Sequence, residues 1–343
     1  MKRATVHDVA AEAKVSLATV DRVLNDRAGV KATTVARVNA AIDKIGFTRD
    51  RHAANMAKKR EYKICFILPS GDNTFMDVLR EQVELMSTIE RQHRTLISVR
   101  TIPPFDSDAL ITELDSITTQ EFTGVVFVAT DASGVKESIK GLTDRGVIAI
   151  TLVSDIPNSA RAYFVGIDHV AAGRTAASLL GRFLRPQQGK MAILVGSMSL
   201  RDHVDRRFGC EQVIKSEYPN LQLLPVLEGL DSNEITEGLV VQLLQDHPDL
   251  LGIYNAGAAR RGVITALKKQ NMDGKVAVVA HDLTDDSRSA LRDGTFDAII
   301  NQDPPHQIRS AIRLVRAFAD DSSFQESQER IRIDVFLRDN MID

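Results

Sequence analysis

The sequence predicts a small all-α unit at the N-terminus, followed by a much larger α/β unit built on parallel sheets. In the first sixty residues, apolar side chains recur at helical spacing in three short segments. From Tyr62 onward, short apolar runs alternate with amphipathic stretches, which is typical of parallel strands covered by helices. A chain of 343 residues is also too long for one ordinary compact core, so two or three domains are expected.

The charge distribution separates the same two parts of the chain. Residues 1–60 contain 13 Lys and Arg residues but only 6 Asp and Glu residues, a balance of +7, whereas the rest of the chain has a balance of −10. A basic head on an acidic body suggests a polyanionic partner for the head, the alternative being a chance distribution of surface charge.

Composition and missing motifs exclude several classes of protein. The only cysteines are Cys65 and Cys210, and no CxxC pair occurs, so neither a disulfide framework nor a zinc site is expected and a reducing compartment fits. No signal-peptide-like stretch follows Met1, and no run of about 18 apolar residues occurs, so we expect a cytoplasmic protein without a membrane segment. GxSxG, Walker A and HExxH motifs are absent, and we expect neither an enzyme nor a cofactor.

Three helices are predicted in the head. They cover residues 5–13, Leu17 to Leu24 and Thr33 to Ile45, with Ser16 as the N-cap of the second and Gly46 as the stop of the third. Such a unit is often a helix-turn-helix whose second helix enters the major groove of DNA, although small three-helix units also bind proteins.

The segment TVHDVAAEAKVSLATVDRVLN, residues 5–25, resembles the DNA-binding head of the lac-repressor family. The family pattern is roughly T-x-x-D-V-A-x-x-A-x-V-S-x-x-T-V-S-R-V-L-N. The chain departs from it at Asp21, where Ser is usual, and later at Lys31, where a small N-cap residue is common. The resemblance implies a helix-turn-helix domain over residues 1–46 that binds double-stranded DNA.

The same resemblance assigns roles to individual residues. Leu17 and Ala18 occupy positions near base edges, where an apolar side chain can contact a thymine methyl group. Arg22 is implied as the bidentate reader of a guanine, the alternative being a solvated surface charge. The implied phosphate contacts, which for Ser16 and Thr19 compete with a capping role, are Thr5, Ser16, Thr19 and Asn25.

Residues 47–60 form a basic, Ala-rich segment that resembles the hinge helix of this family. Its residues 53–57, AANMA, match a family pattern A-x-x-L-A, which implies DNA contacts from Asn55 and Met56. Met56 would take the place of the Leu that is wedged into a minor-groove step. A segment this short is not a stable helix alone, so we expect it to order with DNA and a partner hinge; the alternative is a flexible linker.

The body, residues 61–343, resembles the periplasmic sugar-binding-protein fold, which forms the sensor half of lac-repressor-family proteins. Its predicted strands are the apolar runs at residues 62–70, 122–130, 147–154, 191–197, 252–257 and 276–282. The resemblance implies two lobes and three chain crossings, near residues 165, 301 and 329. The N-lobe is then expected at about 62–164 and 302–328, and the C-lobe at about 165–301 and 329–343.

Ligands of parallel α/β sheets bind at the carboxyl ends of the strands. The resemblance places ligand contacts there at Asn73, Phe75, Met76, Asp131, Arg201, Arg206, Asn255, Asp282 and Gln302. Amides and carboxylates pair with vicinal hydroxyls, Arg clamps two oxygens, and an aromatic ring covers a C–H face, so the set suits a sugar or polyol. Alternatives are turn or capping roles for Asn255 and Asp282, and a surface charge for Arg206.

These observations predict a ligand-responsive transcription regulator, a repressor that acts as a homodimer on a palindromic operator. A ligand between the lobes would change operator affinity by favouring one arrangement of the body, as an inducer or as a corepressor. The alternative from another class is a solute-binding protein of a sugar uptake system. The helix-turn-helix head and the lack of a signal peptide argue against it.

Overall fold

The computed structural model describes residues 4–24, 28–47 and 60–341. The chain forms two compact units, Met1–Arg60 and Glu61–Asp343.

The first unit, the head, is built from three helices. These are α1 (Val6–Ala13), α2 (Leu17–Leu24) and α3 (Ala32–Ile45). All three were predicted, although α1 starts one residue after its predicted segment and α3 starts one residue before. Gly46, with φ of 62°, ends α3 in the left-handed conformation that glycine adopts at least cost. The small core of the head consists of buried apolar side chains from all three helices and the residue that follows, namely Val9, Ala10, Ala13, Val20, Val38, Ala41 and Phe47.

The second unit, the body, contains two parallel sheets. The first has the strand order β2-β1-β3-β4-β5 and defines the N-lobe. Its strands are β1 (Tyr62–Pro69), β2 (Thr95–Ile102), β3 (Gly124–Phe127), β4 (Ile148–Leu152) and β5 (Tyr163–Val165).

The second sheet has the order β12-β11-β10-β9-β6-β7, with β8 paired to β6, and defines the C-lobe. Its strands are β6 (Gly189–Val195), β7 (Leu221–Leu223), β8 (Leu227–Glu228), β9 (Leu250–Asn255), β10 (Ala277–His281), β11 (Ala298–Asn301) and β12 (Asp334–Phe336). All pairs are parallel except β11 with β12. The predicted two-lobed α/β class is confirmed, and all six predicted strands are present.

Helices cover both sheets. Those of the N-lobe are α4 (Thr74–Glu90), the 3-10 turn Arg91–His93, α5 (Ser107–Ser116), α6 (Ser133–Asp144), α12 (Pro304–Ala319) and α13 (Glu326–Glu329). Those of the C-lobe are α7 (His169–Phe183), α8 (Arg201–Glu217), α9 (Asn233–Asp246), α10 (Arg260–Lys269) and α11 (Asp285–Asp293).

Burial on both faces explains the continuous apolar runs. In β1, Ile64 and Phe66 pack into the core that contains α4 and α12, while Cys65 and Ile67 pack into the core that contains α5 and α6. A strand covered on both faces needs apolar side chains at every position rather than at alternate ones.

The chain passes between the lobes three times, after β5, after β11 and after α13. Crossings were predicted near residues 165, 301 and 329, and the exact bounds of the two lobes stay a prediction. Beside the last crossing, the buried carboxylate of Glu329 accepts hydrogen bonds from Nε (3.0 Å) and Nη2 (2.7 Å) of Arg313 on α12. This bidentate pair fastens the segment before the crossing to the N-lobe.

Helices α7 and α8 cross very closely in the C-lobe because each has a glycine at the contact. A Cβ atom on Gly173 would lie 1.9 Å from the carbonyl oxygen of Arg206, and one on Gly209 would lie 2.1 Å from that of Val170. The crossing therefore sets the position of α8, and with it the side chains of its first two turns.

We expect Gly173→Ala to lower the free energy of unfolding of the body by about 1–3 kcal/mol or more, because the helices must move apart to admit a methyl group. The matched control is Gly238→Ala on α9, where no atom lies within 4 Å of the added Cβ. That change should raise stability by about 0.5–1 kcal/mol. Urea unfolding followed by circular dichroism measures both, and equal effects of the two substitutions would contradict the close crossing.

Candidate DNA-binding head and candidate ligand site

One side of α2 is exposed and presents the residues predicted at base edges. Leu17 (43% exposed), Ala18 and Arg22 are exposed, together with Asp21. Val20 faces the opposite way and is only 1% exposed in the head core. An exposed face on the second helix of a three-helix head is the surface that enters a major groove in helix-turn-helix proteins.

The predicted phosphate contacts of the head also cap its helices. Thr5 forms a capping box with Asp8, in which the Thr5 hydroxyl donates to Oδ2 of Asp8 (2.7 Å) and accepts from its backbone N–H (3.4 Å). Oγ of Ser16 accepts from the backbone N–H of Thr19 (3.1 Å) and lies 2.9 Å from its Oγ1. Phosphate contact by these residues stays a prediction, and Asn25, Asn55 and Met56 lie outside the described residues.

Six of the nine predicted ligand contacts surround one small cavity between the lobes, called the inner cavity below. Its volume is about 30 Å³, and the six are Asn73, Phe75, Met76, Arg206, Asp282 and Gln302. The other three do not line it. Asp131 is exposed, Arg201 forms an ion pair with Asp205 (2.9 Å), and the buried Asn255 donates through Nδ2 to the carbonyl oxygen of Ala258 (3.1 Å).

Asn73 connects the two lobes. It is the N-cap of α4, and its Oδ1 accepts from the backbone N–H groups of Phe75 (3.1 Å) and Met76 (3.4 Å). Its amide Nδ2 therefore remains available, and it donates to Oδ2 of Asp231 in the C-lobe (2.8 Å). Oδ1 of Asp231 accepts from the backbone N–H of Ala258 (3.1 Å), which fixes the carboxylate in place.

Arg206 is 2% exposed and lies on α8 beneath the inner cavity. Its Nη1 donates to the carbonyl oxygen of Ala256 (2.7 Å), and its Nε donates to Nδ1 of His169 (3.2 Å). Because Nδ1 accepts, the ring proton of His169 is on Nε2, which donates to the carbonyl oxygen of Val153 (2.6 Å). Burial and the charge of Arg206 lower the pKa of His169 to about 4, so the ring is neutral.

Asp282 and Gln302 follow β10 and β11 and face the cavity together. Asp282 has φ of 67°, and its Oδ1 accepts from Nε2 of Gln302 (2.8 Å). Its Oδ2 lies 3.4 Å from Nη1 of Arg260. Burial raises the pKa of Asp282, although the positive charge of Arg260 opposes this rise. Arg260 also donates through Nη2 to the hydroxyl of Thr74, a second bond between the lobes.

Sequence reasoning missed several residues of the site. Asp202 and His203, in the first turn of α8, are buried and line the inner cavity. Ser154, Leu200 and Asp231 also line it. Burial raises the pKa of Asp202, but the combined effect of the nearby His203, Arg206 and His169 is larger and lowers the pKa to about 2. The density of charge in the run RDHVDRR was a partial signal, but the sequence does not show which of its residues are buried.

Four buried polar atoms that belong to residues lining the inner cavity have no hydrogen-bond partner within the described part of the chain. They are Ser154 Oγ, Asp202 Oδ1, Arg206 Nη2 and Gln302 Oε1. The Ser154 hydroxyl is near enough to lower the pKa of Asp202, yet the two side chains do not reach hydrogen-bond geometry. Buried polar groups are nearly always paired, so this set of donors and acceptors fits a polar guest that supplies both.

Comparison with known proteins agrees with the division into head and body. Residues 5–50 match the family model described as bacterial regulatory proteins, lacI family, and residues 64–323 match the periplasmic binding protein domain. The chain is a lacI-family regulator with a periplasmic binding protein domain.

Relatives of known name share part of their sequence with this lacI-family regulator. It is 24% identical to catabolite control protein A of Staphylococcus aureus over 235 residues, and this matched segment covers 68% of each chain. It is 25% identical to the protein of the same name from Streptococcus mutans over 178 residues, and this segment covers 52% of this chain and 51% of the relative.

Among solved structures, the glucose-galactose binding protein GanP of Geobacillus stearothermophilus has a TM-score of 0.73 at 16% identity, covering 82% of this chain and 99% of the other. A solute-binding protein of Burkholderia graminis in complex with D-arabinose also has a TM-score of 0.73, at 21% identity, covering 82% and 96%. These likenesses establish the fold of the body.

The predicted function is therefore confirmed at the level of a ligand-responsive, DNA-binding transcription regulator, and the transport alternative is less supported. This is a family of regulators rather than of enzymes. No helix in the described ranges is long and apolar enough to cross a membrane.

We expect the stability of the body to fall by about 2 kcal/mol between pH 7 and pH 5 on account of His169. Its folded-state pKa, about 4, is below the unfolded value of 6.5, so in this range the unfolded state takes up a proton that the native state does not. Urea unfolding at several pH values should show a clearly smaller loss for His169→Asn. The exposed His93→Asn serves as control and should keep the full loss; an unchanged slope in His169→Asn would contradict a neutral buried ring.

Proposed function

We propose that this regulator is a homodimeric repressor that binds a palindromic operator in the cytoplasm, and that a sugar or polyol bound between the lobes changes its operator affinity. The observation that carries the ligand class is the set of four unpartnered polar atoms around the inner cavity. Each hydroxyl of a sugar donates one hydrogen bond and accepts others, so adjacent hydroxyls satisfy Arg206 and Asp202 together.

The contacts between the lobes supply a means of regulation. Asn73 with Asp231, and Thr74 with Arg260, join the turn before α4 to the C-lobe at the edge of the inner cavity. A ligand that replaces these bonds with its own favours a different closure of the body. Because β1 of the N-lobe starts directly after residues 47–60, a change in closure in a dimer alters the spacing of the two hinge segments.

Nothing in the site favours catalysis over binding. His203, the histidine that lines the inner cavity, has its Nδ1 2.9 Å from the carbonyl oxygen of Ser197 and 3.2 Å from its backbone nitrogen. That nitrogen is occupied by backbone, not by a serine or cysteine nucleophile. We therefore propose that the ligand is released unchanged.

Ligand class is tested by a thermal-shift screen of the full-length protein against sugars, polyols, sugar phosphates and purines. A sugar or polyol at 100 times its Kd should stabilise the folded protein by about 2.7 kcal/mol. The direction in which the active compound changes DNA affinity then distinguishes an inducer from a corepressor. A response to purines alone would overturn the sugar site while leaving the regulator.

Asp282→Ala should weaken binding of the active sugar at least about tenfold, because it removes a buried acceptor and leaves Gln302 and Arg260 without it. Isothermal titration calorimetry measures the Kd. The control is Asp286→Ala, which removes a carboxylate that pairs with Arg261 at the protein surface, 2.7 Å away. Equal effects of the two substitutions would place the ligand elsewhere.

Arg22→Ala should abolish preference for one operator base pair and leave weak, salt-sensitive binding, because phosphate contacts persist without the guanine contact. Selection from a library of random duplexes, followed by sequencing, gives the base preference of each variant. Arg37→Ala, an exposed arginine on α3, is the control and should keep the wild-type preference. If the Arg22→Ala variant keeps every base preference of the wild type, Arg22 does not recognise a base.

A further inference from the structure

A second space, called the outer chamber here, adjoins the inner cavity between the lobes. Its volume is about 280 Å³, and its walls are the turns after β1 and β2 in the N-lobe and Leu200 with residues 230–232 in the C-lobe. Asn73, Met76, Val128, Leu200 and Asp231 line both spaces. The two spaces are therefore parts of one cleft, and the Asn73–Asp231 hydrogen bond stands where they meet.

The wall of the outer chamber is mainly apolar. The side chains that give it this character are Pro69, Met76, Ile102, Pro103, Pro104, Phe105, Val128, Leu200 and Leu230. Leu230 is 50% exposed and contributes apolar surface to this wall. Phe105 and Leu230 have φ values of 60° and 51°, in the left-handed region that residues with a Cβ adopt less readily than glycine.

The charges around the cleft disfavour an anion. Among the described residues that line the outer chamber, none is Lys, Arg or His, while Asp72, Asp106 and Asp231 are present. At the inner cavity, Arg206 already lies 3.7 Å from Asp202, and the neighbouring Arg260 lies 3.4 Å from Asp282. Both guanidinium groups therefore already have a carboxylate beside them, and a phosphate group would bring further negative charge next to these carboxylates.

We propose that the ligand is an uncharged glycoside, whose sugar occupies the inner cavity and whose apolar aglycone occupies the outer chamber. This inference rests on the proposed sugar-sensing function and narrows the ligand from sugars in general to a two-part molecule. It excludes phosphorylated sugars. The inner cavity has the size of a water site rather than of a sugar ring, so the lobes must separate on binding. Opening of the Asn73–Asp231 bond then joins the two spaces into one.

The test is calorimetric titration of the full-length protein with matched probes. Glucose, galactose, arabinose and xylose are each tested as the free sugar, as the phenyl glycoside and as the sugar phosphate. The phenyl glycoside of the recognised sugar should bind about tenfold more tightly than the free sugar or better, since an apolar group enters an apolar pocket. The corresponding phosphate should bind at least about tenfold more weakly than the free sugar.

Leu230→Ala should bring the ratio of the two Kd values, free sugar to phenyl glycoside, close to one. Leu337→Ala, which truncates another exposed leucine (43%) outside the cleft, should leave that ratio unchanged. A free sugar that binds as tightly as its glycoside, or a phosphate that binds as tightly as either, overturns this inference and leaves the sugar-sensing function intact. If neither these sugars nor any sugar or polyol of the thermal-shift screen binds, the sugar-sensing function fails, and the inference fails with it.

Discussion

The ligand site depends on a buried guanidinium, that of Arg206. A charge taken out of water is stable only when its donors are satisfied and a counter-charge is near. The backbone of Ala256, the ring of His169 and the carboxylate of Asp202 supply these conditions from three different elements of the C-lobe. Because His169 in turn donates to the carbonyl oxygen of Val153 after β4, the same network extends to the N-lobe.

This network exists because α7 and α8 approach each other at glycine. Gly173 lies against the carbonyl group of Arg206, and any larger residue there would push α8 away from the cleft. The position of the guanidinium relative to Ala256 would then change by more than a hydrogen bond tolerates. A packing constraint at the backbone of Arg206 thus determines whether its Nη2, which has no hydrogen-bond partner among the described residues, is presented to a ligand.

Local patterns were sufficient to predict much of the fold. The strand β1 is buried on both faces and therefore appears in the sequence as a continuous apolar run. In contrast, β2 lies at the edge of its sheet, and its sequence mixes polar and apolar residues. That is why β1 was predicted and β2 was not. The helix ends at Ser16 and Gly46 were predictable for a similar reason, since capping involves only nearby residues.

The site was less predictable, since its contacts join distant parts of the chain. Asn73 was found from its motif, but its partner Asp231 is separated from it by 158 residues and follows a strand of two residues. Asp131 illustrates the converse case. It follows β3 at the expected edge of the sheet, yet its backbone N–H donates to the carbonyl oxygen of Ser199 (3.1 Å) while the residue itself remains exposed. Sequence position fixes the edge of the sheet, but the opposing lobe determines which side chains at that edge become enclosed.

The bonds between the lobes also limit how strongly a ligand can act. Asn73 with Asp231, and Thr74 with Arg260, are neutral–charged hydrogen bonds at the boundary of the cleft, and a typical bond to a charged group contributes about 1.5–3 kcal/mol. To shift a two-state equilibrium from 1:99 to 99:1, a ligand must favour one state by about 5.5 kcal/mol. Together, two such bonds favour the closed arrangement by about 3–6 kcal/mol, which is of the same order as that difference. Since Asn73 also caps α4, the exchange acts directly on the helix that packs against β2 at the edge of the N-lobe. Coupling between the cleft and the N-lobe surface therefore needs no long chain of intermediate residues, because Asn73 both contacts the C-lobe and is the N-cap of α4.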